Sequence, residues 1–420
     1  MVSKYMRTFT LILVLFLTSS LCNAQTKIDW NRDLDSLAIW LPQKHYNLFM
    51  YRNEESFSTG ITELKKDVAR CSDLQMILKL QQFIVKFGDA HTNVNYIVAL
   101  SPNRVYPMGL ACYGTDYFIT TTTTNLKNLL GSRLIAINGH PINKIEKQFS
   151  SLIVTDSRSC VLNTVPNIMA YSQIYEYFNL AKGDSIVITY NKNGNVKKKV
   201  LKAGPINPKS LINIIPAKKA MHLENNGSLF TETYLPEDKI YYIQYNKCWS
   251  RELENKYGYK DRAALLPSFK EFTERIFTTL AEKDIKKIVF DLRYNSGGSS
   301  QQFTELVKQL STVLQDKDKI KCYAITGRST FSSGILNSLD LKKYLNATFV
   351  GEETAGCANH LGEIRGFRLP TSKIEISYST KYFTHEGIDD GPIVPDIVKQ
   401  STFEDFMNGI DPVLEWIKQQ

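Results

Sequence analysis

From Ile240 onward, short apolar runs alternate with longer segments of helical spacing, and this alternation restricts the fold more than any other feature. Residues 240–245, 286–291, 320–326 and 347–350 read as strands. Residues 265–280, 302–314 and 332–345 read as helices between them. The run Ile288-Val289-Phe290 is that of a strand buried between layers, and strand–helix alternation of this kind predicts an α/β layer structure.

The rest of the 420 residues divides by composition and periodicity. Residues 1–24 have the form of a secretory signal: basic Lys4 and Arg7, an apolar stretch from Phe9 to Leu17, and small residues before Gln25. That stretch is too short for a membrane span. Export to the periplasm or the extracellular space is expected, with Cys22 as an alternative site for a lipid anchor. Residues 25–93 form a helical unit, with Leu34, Leu37, Leu41, Leu64, Val68, Leu80 and Ile84 at helical spacings. It closes at the turn Asp89-Ala90-His91-Thr92, before an alternating, strand-like 94–98. Residues 94–204 read as a β-rich module, with tight turns at Asn138-Gly139 and within 191–195. A Pro/Asn/Lys-rich connector covers 205–228, and 229–420 is the α/β core.

A net charge of +9 without basic blocks interleaved with aromatics excludes nucleic acid as a partner. The cysteines are scattered without CxxC spacing, and no two histidines have helix-face ligand spacing. No metal or other cofactor is expected.

Two segments carry the chemistry. Strand 286–291 empties into Leu292-Arg293-Tyr294-Asn295-Ser296-Gly297-Gly298, where glycine backbone N–H groups are accessible to a carbonyl oxygen. Strand 320–326 leads through Gly327 into Ser329, Thr330, Ser332 and Ser333 at the mouth of a helix, where a hydroxyl meets a favourable dipole. Spacing alone does not choose among these four hydroxyls, and a serine at such a junction is also a good helix cap.

Together with three further segments, these resemble the serine peptidase family of C-terminal-processing (tail-specific) proteases and tricorn protease. DLRYNSGG (291–298) is similar to its DLRxNxGG motif, and Thr330-Phe331-Ser332-Ser333-Gly334 to its nucleophile segment. Gly351-Glu352-Glu353-Thr354 is similar to its GExT, Gly391 to Ile397 to its GxxPDI, and Asp89-Ala90-His91-Thr92 to its DxHT. GSRLIAINGHPI (131–142) also resembles the family's PDZ-like domain.

The resemblance implies a Clp protease–crotonase-like core with a helical N-terminal unit and a PDZ-like module. It also implies acyl-enzyme hydrolysis of proteins or peptides, with Ser332 as nucleophile and oxyanion donors at the N–H of Ser333 and of Gly297 or Gly298. The substrate would add a strand to a sheet edge. The lysine of the Ser-Lys branch falls on Cys357, and no lysine occurs between Lys343 and Lys373. The chain is therefore closer to the tricorn-like, histidine-dependent branch, which implies His91 as base and Asp389 as its carboxylate. His360 and His385 are alternative bases, and Asp390 is an alternative carboxylate. The resemblance also extends to carriers, so an inactive peptide- or lipophile-binding relative is the second reading. Crotonase-like acyl-CoA chemistry is a third, opposed by the export signal.

Overall fold

A computed structural model describes residues 27–315 and 320–420. The segment expected as an export signal and Cys22 lie outside the described residues.

The α/β core is a six-stranded sheet. Its order is Ile397–Val398, Thr348–Gly351, Lys321–Thr326, Lys287–Asp291, Ile240–Tyr245 and Phe230–Leu235. Every neighbouring pair is parallel except the last, which is antiparallel. The period of two divides each strand's side chains between the faces. Tyr241, Ile243, Ile288, Phe290 and Ala324 pack with helices Phe269–Glu282, Gln301–Leu314 and Ser333–Leu345. Ile240, Tyr242, Val289, Tyr323 and Ile325 pack with the C-terminal helix Pro412–Lys418. The strands are apolar at nearly every position because both faces are covered. The helix expected over 265–280 begins later, at Phe269, where Ser268 caps it by accepting the Glu271 N–H.

The β-rich module has the sheet order Met108–Tyr113, Asp116–Thr123, Arg133–Ile137, Ser185–Lys192, Asn195–Lys202. Both tight turns occur as expected, Asn138-Gly139 and Asn193-Gly194 having positive φ. The connector is not a free linker. Its segment Leu211–Asn213 pairs with Asp116–Thr123 and extends this sheet.

Helices Trp30–Lys44, Glu54–Asp67 and Asp73–Ile84 are capped by Asp29, Asn53 and Ser72. The strand expected over 94–98 is only Asn93–Val94, followed by a 3-10 turn over Tyr96–Ala99. Its partner, Glu375–Phe383, begins at Glu375, so the ladder ends there. That partner belongs to a hairpin, His360–Arg368 with Glu375–Phe383, which the sequence pattern does not announce. Leu369, Ile374, Ile376 and Tyr378 of the hairpin share a core with the N-terminal helices and the β-rich module. Asp33 fastens it by accepting the N–H groups of Thr371 (2.7 Å) and Ser372 (2.8 Å). The hairpin thereby joins the turn containing His91 to the C-terminal half of the chain.

Candidate active site

The loop after Lys287–Asp291 is built on a buried ion cluster. Asp291 is fully buried and accepts from the Tyr242 hydroxyl and from Arg293 Nε at 2.8 Å. Arg293 turns its remaining donors on Asp411 at 3.2 and 2.8 Å. These charged motif residues therefore anchor the C-terminal helix.

Asn295 carries the order onward. Its Nδ2 donates to the Tyr245 carbonyl at 2.9 Å, its Oδ1 accepts the Gly297 N–H at 2.9 Å, and its own carbonyl accepts the Phe331 N–H at 2.9 Å. One buried residue thus joins the glycine loop, through its side chain, to the loop holding Ser332, through its backbone carbonyl.

The four hydroxyls separate by their partners. Ser329 Oγ donates to Asn163 Oδ1 at 2.9 Å, Thr330 Oγ1 to the Leu292 carbonyl at 2.8 Å, and Ser333 Oγ to the Gly298 carbonyl at 2.8 Å. Among the described residues, Ser332 Oγ has no hydrogen-bond partner. Its backbone stands at φ 51° and ψ −125°, a conformation that L-residues avoid, and its side chain caps nothing. This strain is imposed by the closing bonds of the loop, Gly334 N–H to the Phe331 carbonyl and Ile335 N–H to the Ser332 carbonyl, each 2.9 Å.

The two glycines differ. Gly297 (φ 97°) lies against Ser332, since a Cβ there would fall 2.8 Å from Ser332 Cβ. Its N–H is already given to Asn295. Gly298 (φ 135°) runs along Cys248, through Cys248 N–H to the Gly297 carbonyl (3.1 Å) and Ser299 N–H to the Cys248 carbonyl (2.8 Å). Within the described residues the N–H groups of Gly298 and Ser333 are unused, whereas that of Gly297 is engaged.

Beside Phe331 lies a cavity of about 180 Å³ lined by His91, His360, Asp89, Asp156, Asp390 and Cys357, among others. The His91 ring stacks on Phe331 (centroids 4.7 Å apart) and faces His360 at 5.8 Å. Burial lowers the His91 pKa against the opposing influence of Asp89 and the Leu361 carbonyl. The imidazole is therefore neutral at neutral pH. His360 is pushed down to about 4 by burial and by His91, and its Nδ1 donates to the Cys357 carbonyl at 3.1 Å. His385 does not line the cavity, and its Nε2 is buried without a partner among the described residues. No hydrogen bond joins His91, His360 or His385 to Ser332.

Cys357 occupies the expected lysine position. Burial, then Asp156 and Asp390, push its thiol up to about 12, so it remains protonated and is no base. Asp389 is exposed and lies off the cavity. Asp390 lines the cavity and accepts from Asn359 Nδ2 at 2.7 Å. Their order reverses the expectation, because consecutive residues of a turn point in different directions.

Asp156 lines the cavity without any sequence pattern that singles it out, whereas Asp89 stands in the motif that also holds His91. Asp156 comes from the β-rich module, and burial, then Asp89, raise it to about 6. No local pattern marks it. Ser157 Oγ and the Ser159 N–H reach the Ala355 carbonyl and Glu353 Oε1, each at 3.0 Å, so this module grips the segment after Gly351.

No family model and no curated protein matches the sequence. Among solved structures, mature CPAF complexed with lactacystin matches with a TM-score of 0.64 at 12% identity, over 93% of this chain and 97% of that one. Mature CPAF in a second crystal structure matches at 0.61 and 12%, over 93% and 96%. The chain has the fold of mature CPAF across nearly its whole length. This agrees with an α/β core carrying a helical N-terminal unit and a β-rich module.

Proposed function

We propose that this chain is an exported serine endopeptidase acting on proteins or peptides. One observation carries the reading: of four neighbouring hydroxyls, the unpartnered one sits on a strained strand-to-helix junction beside two unused backbone N–H groups. Ser332 Oγ attacks the scissile carbonyl carbon, and its proton passes to neutral His91. The oxyanion accepts hydrogen bonds from the Gly298 and Ser333 N–H groups. Collapse expels the amine, which takes the proton from His91, and water then releases the acyl group by the same steps. The gap between His91 and Ser332 closes in the substrate complex, as catalytic hydrogen bonds often do.

The substrate lies extended along Met108–Tyr113, an edge strand that among the described residues pairs only with Asp116–Thr123. Arg328 supports this placement by donating to the Gly114 carbonyl (2.7 Å) and to Glu352, joining that edge to the nucleophile loop. The test is covalent labelling of the purified chain by a fluorophosphonate, with hydrolysis of an unstructured protein followed in parallel. The wild-type chain labels at Ser332, and Ser332→Ala loses both labelling and hydrolysis. A folded wild-type chain that takes no label is instead a binding protein without turnover.

A further inference from the structure

His91 lies in a turn organised around Asp89, and Asp89 is organised in turn by a second buried histidine. Asp89 Oδ1 accepts the His91 N–H at 2.9 Å, while Oδ2 accepts from Thr92 Oγ1 and lies 2.9 Å from His45 Nε2. The side chains of His45 and Asp89 are 1% and 2% exposed, so neither exchanges these bonds for water. His45 Nδ1 is 3.1 Å from the Asn47 N–H, which can only donate. Nδ1 is therefore the acceptor nitrogen, and Nε2 carries the proton that Asp89 receives. Burial acts to raise the Asp89 pKa, but the side chains of His45, Ser379 and Thr92 and the His91 N–H outweigh it and keep the carboxylate ionised. Beyond these bonds, His91 Nδ1 lies 4.0 Å from Asp89 Oδ1.

The geometry points to Asp89 as the carboxylate that orients His91, with His45 as the positioning residue that keeps Asp89 aimed and charged. This rests on the peptidase reading above. Apart from the Leu361 carbonyl, which also bonds the imidazole, the other groups facing His91 do not compete. Asp390 is bonded to Asn359, Asp389 is off the cavity, and Cys357 stays protonated. His360 is neutral and held by carbonyls, Tyr51 is pushed up to about 12 by burial, and Asp156 has no ion pair with His91. Asp89 stands two residues from His91 on the same rigid turn, so a shift of about 1 Å completes the hydrogen bond to Nδ1 and leaves Nε2 as the base.

The test is the pH dependence of the second-order rate of fluorophosphonate labelling at Ser332, in the full chain, for four variants. Asp89→Asn is expected to slow labelling about 10²- to 10⁴-fold and move the acidic limb to lower pH, because the charge favouring imidazolium is gone. His45→Leu is expected to slow labelling about 10- to 100-fold. His45→Gln and His45→Asn bracket the geometry: Gln, whose amide reaches Asp89, recovers most of the rate, and the shorter Asn does not. If Asp89→Asn fails to fold, the Leu, Gln and Asn series decides. Equal rates across that series, or an unmoved acidic limb in folded Asp89→Asn, overturn the inference while labelling of the wild type leaves the peptidase reading intact. Absence of wild-type labelling overturns both.

Discussion

Replacing Gly298 with alanine separates the two roles of the glycine loop, because the structure sets the size of the disturbance. A Cβ at this position would lie 2.3 Å from the Cys248 carbonyl oxygen and 2.9 Å from its carbon. Ordinary contact needs about 1 Å more, and the obstacle is backbone already bonded to the Ser299 N–H at 2.8 Å. The glycine loop must therefore move by about that distance, carrying the Gly298 N–H away from the oxyanion, and a 1 Å misplacement costs about 10²-fold in rate. The φ of 135° adds backbone strain of about 1–3 kcal/mol. Gly194→Ala is the control, since it also stands at positive φ (83°) but with open space around the added methyl. It is expected to cost about 1 kcal/mol and leave the site unchanged. Urea unfolding measures the stability of each variant, and fluorophosphonate labelling at Ser332 measures the site. Folded Gly298→Ala labelling at the wild-type rate would falsify the placement of this N–H in the oxyanion site.

Two further outcomes concern stability. Arg293→Met strands the buried carboxylates of Asp291 and Asp411. Such a break costs about 3–5 kcal/mol, and a loss below about 1 kcal/mol in urea unfolding would remove the cluster from its anchoring role. Acidification is the other. Burial pushes both His222 and His360 down to about 4 from 6.5, so the unfolded chain binds their protons more readily. Stability is then lost as pH falls through 6.5 toward 4, by about 2 kcal/mol for each histidine at pH 5. Asp156, raised to about 6, works in the opposite sense by about 1 kcal/mol as it is neutralised. The net expectation for these groups is a drop of about 2–3 kcal/mol between pH 7.5 and 5. An unfolding free energy that stays level over that range contradicts the neutral, buried state assigned to them.

Much of the core is legible in the sequence, because its signals are local. Apolar runs covered on both faces, helical spacing and the Asn138-Gly139 turn depend on neighbours a few residues away. The segments holding Ser332 and the glycine pair stand out in the same way. The hairpin from His360 to Phe383 is not legible, since its exposed Glu363 and Arg365 weaken an apolar pattern and its third partner is Asn93–Val94. The strand expected over 94–98 fails for a related reason: its alternation continues after its partner has ended.

The sequence by itself determined the strand–helix alternation, the strand-to-helix junction as the place for a nucleophile, and the loss of the lysine at Cys357. Only the tertiary structure decided which atoms are free to react. Spacing alone does not tell apart the four hydroxyls, the two glycine N–H groups or the two consecutive aspartates. Folding distinguishes them by giving most a partner and leaving Ser332 Oγ and the Gly298 N–H without one among the described residues. The cavity around His91 is wholly tertiary. Its residues come from the N-terminal turn, the β-rich module and the C-terminal half, and their meeting depends on the pairing of Asn93–Val94 with Glu375–Phe383. Contacts between such distant segments arise from packing of the whole chain, and no local pattern records them.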